Sequence, residues 1–176
     1  MNIKKSAMVG KAINRLMETE EATGEQLAID FNVSPQLISH IKNERRTMQA
    51  DIAQESIALY DNPEYTMDIL YEFSSKFTSP VLRGRFVEQH RMTLEAYAKK
   101  EIEEALERIQ NVCLAKPPSM IDENERLGVR SMMDELIEAR IHIDNLLKQL
   151  QKEYKISIMD RIKALLPTWK VKGWIE

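Results

Sequence analysis

Residues 24–43 read GEQLAIDFNVSPQLISHIKN, and this stretch decides the fold of the N-terminal part of the chain. Apolar residues at helical spacing on both sides of a polar turn predict two short helices. Ser34 is a suitable N-cap and Pro35 suits the first helical position, so the second helix is predicted to begin there. Asn32 tolerates the left-handed conformation that ends many helices, and the small Ala28 lets the two helices cross closely. The side chains predicted to point inward are Leu27, Phe31, Val33, Ile38 and Ile41.

The spacing of Ala28, Asn32 and Ile38 resembles the helix-turn-helix of the Cro/CI-type (XRE-like) DNA-binding family, over the N-terminal third or so of the chain. The resemblance implies a bundle of four to five helices. It also implies that the second motif helix, near residues 35–42, enters the DNA major groove by its N-terminal end.

The chain departs from the family's pattern at three positions. Asn32 replaces the usual turn glycine, and Pro35 occupies an early recognition-helix position that often reads a base. Proline has no donor to offer there, so base reading is expected to shift to its neighbours. Lys42 stands where the family often has an acidic residue that pairs with an Arg of the first helix, which puts the pairing of Arg15 in doubt.

The outward residues of the predicted recognition helix are polar and suit contacts with DNA. Gln36 can form two hydrogen bonds with adenine, and Ser39 can donate to a base or a phosphate. His40 suits guanine or a phosphate, and the basic residues that follow suit the phosphate backbone. Two amphipathic helices with a polar turn also occur in many other helical proteins, and Arg45-Arg46 could be a solvated loop. The predicted DNA-binding residues are Gly24, Ser34, Gln36, Ser39, His40, Lys42, Asn43, Arg45 and Arg46.

Capping residues predict further helix starts along the chain. Ser6 and Thr47 are expected to cap helices, and Asn62 and Ser79, each followed by proline, repeat the cap-then-proline signal. The fold class is therefore predicted to be all-α, with an N-terminal helix-turn-helix bundle followed by an antiparallel hairpin of long helices. The predicted domains are a DNA-binding domain, residues 1–78, and a hairpin domain, residues 79–176.

Two long apolar stripes follow, at residues 87–112 and 129–154, and prolines separate them. The second stripe has heptad spacing, interrupted by Arg140, which is typical of a helix that packs on other helices. We expect it to form a homodimer, because pairing two motifs on a two-fold DNA site strengthens binding. Alternatively, the hairpin packs on the helices of residues 62–77 within one chain, or binds a protein partner through residues 79–176. The predicted oligomerisation residues are Val129, Met133, Leu136, Arg140, Ile143, Leu147 and Leu150.

The C-terminal tail combines an amphipathic segment with both tryptophans of the chain. The segment from Ile158 to Leu166 precedes Pro167, and an alternating Trp-Lys-Val-Lys run begins at Trp169. The alternation suits a short strand or an extended tail, and four residues do not decide between them. Trp169 and Trp174 could anchor a partner or cover the hairpin.

The net charge of −3 is distributed unevenly over the 176 residues. Residues 1–62 carry seven Lys or Arg against nine Asp or Glu, a net charge of −2. Residues 76–100 carry six against two, a net charge of +4. A polyanion such as DNA must therefore be met by local patches, because the overall field of the protein does not attract it.

The composition also bounds the class of protein. A single cysteine, Cys113, forms no internal disulfide, and no signal-peptide core follows the N-terminus, so we expect a cytoplasmic, bacterial protein. No apolar run approaches the roughly 20 residues that span a bilayer, and no membrane partner is expected. The three histidines lie far apart, and no nucleophile motif or phosphate loop is present, so we expect no catalytic residue, cofactor or metal site. A solvated helix face is predicted for Glu101, Glu103, Glu104 and Glu107.

Two classes of function remain. The first is a sequence-specific, dimeric transcriptional regulator of phage or mobile-element type, such as a repressor, which is the setting that the family resemblance implies. The second is a protein-interaction or replication-associated factor that uses the helix-turn-helix or the hairpin to bind another protein. The net charge of −2 in residues 1–62 is the best support for the second class.

Overall fold

The computed structural model describes residues 3–176, and over this range the fold is mostly helical, as predicted. A single pair of two-residue strands accompanies the helices in the described part of the chain. Every helix in residues 3–176 is too short or too polar to traverse a lipid bilayer. The elements are β1 (Ser6–Ala7), α1 (Gly10–Thr19), α2 (Gly24–Asp30), α3 (Pro35–Lys42), β2 (Met48–Gln49), α4 (Ala50–Leu59), α5 (Pro63–Phe73), α6 (Arg91–Asn111), α7 (Glu123–Tyr154) and α8 (Ile158–Val171).

Side-chain caps start three of the first five helices. Thr23 accepts a hydrogen bond from the Gln26 amide at the start of α2. Ser34 caps α3 by accepting from the Leu37 amide, and Asn62 caps α5 in the same way. The predicted helix starts at Ser34-Pro35 and Asn62-Pro63 are therefore confirmed, because each cap satisfies a backbone donor that the helix leaves unpaired.

The predicted caps at Ser6 and Thr47 are wrong. Ser6 lies in β1, which pairs antiparallel with β2, and Thr47 directly precedes β2. The pairing satisfies the backbone of both segments, and it joins positions more than 40 residues apart, which no local signal reveals. It also buries Ala7 and Met48, so α1 begins later than predicted, at Gly10.

Gly10 marks a close approach between α1 and the end of α3. A Cβ atom at this position would lie 2.8 Å from the carbonyl oxygens of Ile41 and Lys42. Contacts this short do not occur in stable structures, so glycine is required where the two helices touch.

The predicted helix start at Ser79-Pro80 is also wrong. Ser79 is buried, and the segment runs without regular structure until α6 begins. The Leu82 amide, which would lie in the first turn of that helix, instead donates to Asn145 Oδ1 at 2.9 Å. The N-cap of α6 is His90, whose Nδ1 accepts from the Met92 amide.

The chain divides into two compact units. The first contains the residues up to Val81 together with Gln151–Glu176, and the second is Leu82–Leu150. The sequence placed the division near residue 78, and it grouped all later residues in one domain. In the first unit, Gln151 Nε2 donates to both the backbone and the side-chain oxygen of Asp61 at 2.9 Å, which attaches the end of α7. The buried core of this unit comprises Ala7, Val9, Ala12, Ile13, Leu16, Leu27, Ala28, Phe31, Ile38, Ile41, Met48, Ala53, Tyr65, Ile69 and Phe73.

The second unit consists mainly of α6 and most of α7. Tyr97 of α6 lies beside His142 of α7, and Val112, just after α6, lies beside Gly128 near the start of α7. The two helices therefore run in opposite directions. A reciprocal capping box starts α7: the Glu125 amide donates to Asp122 Oδ1 at 2.8 Å and the Asp122 amide donates to Glu125 Oε2 at 3.0 Å.

The tail forms one helix, α8, and the predicted strand or extended tail after Pro167 is wrong. The helix continues through Pro167, its tenth residue, to Val171, although proline has no backbone N–H to donate there. The Ser157 hydroxyl caps its start by accepting from the Asp160 amide. The amphipathic pattern predicted for Ile158–Leu166 continues to Trp169, which lies on the same face of α8.

Candidate nucleic-acid interface

A left-handed residue, Asn32, forms the turn between α2 and α3. Its backbone φ is 52°, which confirms that Asn here takes the conformation that glycine usually supplies. The Val33 amide donates to the Ala28 carbonyl at 2.8 Å across the turn. Ala28 and Ile38 are 1% and 0% exposed, so both helices turn the predicted faces into the core.

Tyr60, at the end of α4, holds the end of α2 in place. Its hydroxyl donates to the Asp30 carboxylate, and its ring meets Phe31 edge-on with the centroids 6.0 Å apart. Burial raises the pKa of the Tyr60 hydroxyl above its ordinary value, and the hydrogen bond to Asp30 raises it further. The Tyr60 hydroxyl is thus a donor to the end of α2.

An ion pair joins α1 to α5. Arg15 Nε and Nη2 donate to Asp68 Oδ2 at 3.2 and 2.9 Å. Arg15 therefore has a carboxylate partner, and that partner comes from α5. The pairing of Arg15 was in doubt because Lys42 stands where the family often has an acidic residue. The carbonyl of Lys42 accepts from the Asn14 side-chain amide at 3.0 Å, which joins the end of α3 to α1.

The predicted base-reading residues lie on the outer side of α3. Gln36 and Ser39 are exposed, and His40 is half-buried. Ser34 is exposed, but its hydroxyl accepts the capping bond from Leu37. The Asn43 side-chain Nδ2 donates to the Ser39 carbonyl at 2.7 Å and closes the last turn of the helix. Gln36 and Ser39 are thus the two positions best placed for contact with a base edge.

An open groove of about 380 Å³ lies where α2 and α3 begin. It brings together three of the predicted DNA-binding residues, Gly24, Ser39 and Lys42, of which Gly24 and Lys42 are half-buried. The groove therefore brings together a residue at the start of α2 with a serine and a lysine of α3. The lining residues are Thr23, Gly24, Glu25, Pro35, Ile38, Ser39 and Lys42.

The basic residues follow the end of α3. Glu44 has a φ of 55°, and this left-handed residue lets the Arg45 and Arg46 amides donate to the His40 carbonyl at 2.8 and 3.3 Å. Both arginine side chains are exposed. Lys42, Arg45 and Arg46 therefore form a short basic segment directly after the outward face of α3, opposed locally by Glu44.

The predicted oligomerisation residues share one face of α7 in the second unit. The four large apolar side chains in the middle of this face are 37% to 55% exposed, and Arg140 between them is also exposed. Val129 and Leu150, at the two ends, are half-buried. The side of α7 that is buried carries Met132 and Ala139 instead. The exposed members are Met133, Leu136, Ile143 and Leu147.

Glu101 is buried, which corrects the prediction that it belongs to a solvated face. It is only 7% exposed, and it continues the buried row of Leu94, Ala98 and Ala105 at helical spacing. That spacing is a signal that sequence reasoning could have used. The carboxylates of Glu101, Glu135 and Glu138 come within 4.8 Å of one another. Carboxylates suit hard cations, but such clusters are common without an ion, and we assign this one no ligand.

Two further polar residues of the second unit were missed by sequence reasoning. Asn145 and Lys148 are 0% exposed. The Asn145 side-chain Nδ2 donates to the Ile141 carbonyl, and the Lys148 ammonium donates to Gln89 Oε1 at 2.8 Å. Nothing in the apolar pattern of a single sequence identifies such residues, because Asn145 Oδ1 also accepts from the Leu82 amide and both Leu82 and Gln89 lie far away in the chain.

Three comparisons bear on the identity of the chain. No protein-family model matches it, and neither a curated protein nor a solved structure matches it. Any functional assignment therefore depends on the chain's own residues and their geometry.

Proposed function

We propose that this protein is a sequence-specific DNA-binding transcriptional regulator of phage or mobile-element type, which acts in the bacterial cytoplasm on a two-fold site as a dimer. In this proposal α1–α5 form a Cro/CI-type helix-turn-helix domain, and α6 and α7 form the hairpin that brings two copies together. The protein carries out no catalysis.

The exposed polar face of α3 carries the proposal. Gln36 and Ser39 lie outward on a helix whose opposite face, with Ile38 and Ile41, is fully buried. A helix held this firmly on its inner side can present its outer side chains to the major groove in one fixed register. Gln36 would pair with adenine and Ser39 would donate to an adjacent base or phosphate.

The charge near α3 supports contact with phosphates and limits its strength. Lys42, Arg45 and Arg46 would each neutralise a phosphate and release counterions. The net charge of −2 over residues 1–62 opposes this attraction. One copy should therefore bind weakly, and two copies on adjacent half-sites should bind with the affinity that a regulator needs.

The apolar face of α7 supports the dimer. Four large apolar side chains at heptad spacing are exposed over a helix of 32 residues. A sustained heptad face of this kind packs well on a copy of itself. Arg140 in the middle of the face would set the register of the two helices, a role that polar residues take in such seams.

Selection of bound genomic DNA tests the main proposal. Fragments captured by the full chain should share a palindromic site, and a gel shift on that site should weaken steeply when the salt concentration is raised. The logarithm of the binding constant should fall by about 0.9 for each phosphate contact per tenfold salt. No enriched sequence, or a flat salt dependence, would rule out the regulator.

Substitutions separate base contacts from phosphate contacts. Gln36→Ala and Ser39→Ala should reduce the preference for the selected site over unrelated DNA, whereas Arg45→Ala should weaken binding to both. Gln54→Ala, which removes an exposed glutamine from α4, is the matched control and should bind like wild type. Unchanged binding in the Gln36 and Ser39 variants would mean that α3 is not the recognition helix.

Light scattering with matched variants tests the dimer. Leu136→Asp or Leu147→Asp should produce monomers that bind the site weakly. Leu106→Asp places the same charge on an exposed apolar position of α6 and should leave the dimer intact. A wild-type chain that is already monomeric at micromolar concentration would overturn the dimer.

A second candidate function is binding to another protein, such as a replication or transcription component. The net charge of −2 over residues 1–62 favours it, because it opposes an approach to DNA. The exposed face of α7 would then bind the partner. A flat salt dependence together with DNA-free recovery of a defined complex would favour this function over the regulator.

A further inference from the structure

The C-terminal helix, α8, buries none of its side chains. Its apolar residues are 36% to 45% exposed at Met159, Ile162, Leu165 and Leu166, and Trp169 is half-buried. An isolated helix of 14 residues is only marginally stable in water. The apolar face of α8 therefore requires another apolar surface to pack against.

The side chains of α8 are sorted by face. At about 100° per residue, six of the seven large apolar side chains occupy one arc of roughly 120°, and the seventh, Val171, lies on the opposite side and is 89% exposed. Lys163 and Lys170 lie along one border of this arc, and Arg161 and Lys172 lie along the other. The exposed Ala164 and Thr168 lie on the opposite, polar side. An apolar strip is thus bordered by basic residues on both sides, of which Lys163 pairs with the exposed Asp160 at 3.5 Å.

This charge pattern discriminates between three surfaces that α8 could contact: a second copy of α8, duplex DNA and an anionic bilayer. Two copies of α8 that met face to face would bring their basic borders together, and like charges at such distances repel. Duplex DNA would satisfy the basic residues and leave the apolar strip in water. An anionic bilayer surface satisfies both, because the strip enters the acyl boundary while lysine and arginine reach the headgroups.

We propose that α8 lies in the surface of an anionic phospholipid membrane and attaches the protein to it. Trp169 on the apolar face and Trp174 just after the helix fit this placement, since tryptophan favours the headgroup region. The Lys172 ammonium lies 4.4 Å from the centre of the Trp174 ring, so the basic border and the aromatic anchor are adjacent. The sequence predicted no membrane partner because no apolar run is long enough to span a bilayer. A helix that lies in the membrane surface does not require such a run.

Tryptophan fluorescence of the full chain tests the proposal directly. The chain has two tryptophans, and both lie in this segment. Vesicles of phosphatidylcholine with phosphatidylglycerol should shift the emission to shorter wavelength, and pure phosphatidylcholine vesicles should not. Trp174→Phe leaves Trp169 as the reporter of the helix face and should retain the shift. No shift with anionic vesicles would overturn the proposal.

Two matched double variants separate the apolar face from simple charge. Ile162→Asp with Leu166→Asp should weaken vesicle binding at least about tenfold, because two apolar side chains no longer enter the membrane. Ala164→Asp with Thr168→Asp adds the same charge at the same spacing on the polar side, and should bind much more tightly than the first pair. Equal loss in both pairs would overturn the role of the apolar face. Neither pair removes a buried side chain, so both proteins should fold.

Two further fluorescence measurements test whether α8 contacts a second copy of the chain or duplex DNA instead. A blue shift that grows with protein concentration and without vesicles would assign the face to a second copy. A shift produced equally by duplex DNA and by vesicles would assign the basic residues to DNA. Either result would overturn the membrane proposal. The proposal is independent of DNA recognition by α3, since Ile162→Asp with Leu166→Asp should leave the gel shift on duplex DNA unchanged.

Discussion

The two compact units differ in whether they completely bury large polar side chains. In the first unit, the residues fully buried around the helix-turn-helix segment are apolar, such as Leu16, Leu27 and Ile38. In the second unit, Asn145 and Lys148 are as completely buried as those leucines. The apolar side chains of α7 that the heptad pattern places in a seam are meanwhile exposed.

The difference shows what apolar periodicity does and does not report. Burial of an apolar side chain is favourable wherever it happens, so an apolar pattern identifies the inner face of a one-sided helix. Burial of a polar side chain requires a partner. The partners here are remote: Leu82 lies 63 residues before Asn145, and Gln89 lies 59 residues before Lys148.

The largest effect is expected in the apolar core of the first unit. Ile38→Ala should lower the free energy of unfolding by about 3–4 kcal/mol, because it leaves a cavity at a fully buried position. Ile29→Ala, in the neighbouring helix α2, removes the same atoms from a side chain that is 74% exposed. It should change stability by no more than about 0.5 kcal/mol. Urea denaturation followed by circular dichroism measures both.

Similar losses in the two isoleucine variants would contradict the placement of α2 and α3. The spacing of Ala28, Phe31 and Ile38 would then not report which side of the motif is buried. The apolar pattern would then not specify the fold of the first unit.

The polar interior of the second unit should be nearly as sensitive. Lys148→Ala should cost about 2–3 kcal/mol, because it loses the hydrogen bond to Gln89 and leaves a cavity at a fully buried position. Lys152→Ala, one turn further along α7, removes an exposed ammonium group that pairs with Glu64 and should cost less than about 1 kcal/mol. Lys148→Met keeps most of the volume and should cost less than Lys148→Ala. Equal stability of the Lys148 and Lys152 variants would remove the contrast between the two interiors.

Much of the first unit followed from its sequence. The turn at Asn32, the caps at Ser34 and Asn62 and the apolar faces of α2 and α3 all depend on residues within one or two turns of each other. Local chemistry specifies such features, so a single sequence contains them. The outward positions of Gln36 and Ser39 follow from the same periodicity.

Most of what the sequence did not predict depends on remote contacts, although the burial of Glu101 follows from local helical spacing. Ser6 has the chemistry of a helix cap, but its segment pairs with a strand that follows α3. Ser79 has the same chemistry and is buried instead. Arg15 takes its carboxylate from Asp68, 53 residues away. For both serines the local preference for capping is worth about 1 kcal/mol, and a tertiary contact outweighs it.

A smaller effect is expected at the turn between α2 and α3. Asn32→Ala should destabilise the protein by about 1 kcal/mol, because alanine is strained at a φ of 52°. Asn32→Gly should be close to neutral, since glycine adopts this conformation freely but gives the unfolded chain more freedom. Thermal unfolding of the two variants beside wild type measures the difference. If alanine were tolerated as well as glycine, the local conformation of Asn32 would not stabilise the motif, and the apolar faces alone would hold it.

The smallest effect, and the one that depends on pH, is expected at the start of α7. The Lys116 ammonium, which donates to Glu125, lowers the pKa of that carboxyl below its ordinary value. A lowered pKa in the folded state means that the stabilisation is present above the ordinary glutamate pKa and is lost as the pH falls through the folded value.

Glu125→Gln keeps an acceptor for the Asp122 amide but cannot titrate. As the pH falls from 7 to about 4, the melting temperature of the wild-type protein should therefore decrease more than that of Glu125→Gln. Glu123→Gln, in the same turn, should follow wild type because Glu125 is intact. Parallel pH profiles for wild type and Glu125→Gln would mean that this local polar contact contributes nothing. The polar stabilisation of the second unit would then lie in its interior, around Asn145 and Lys148, where no local pattern predicts it.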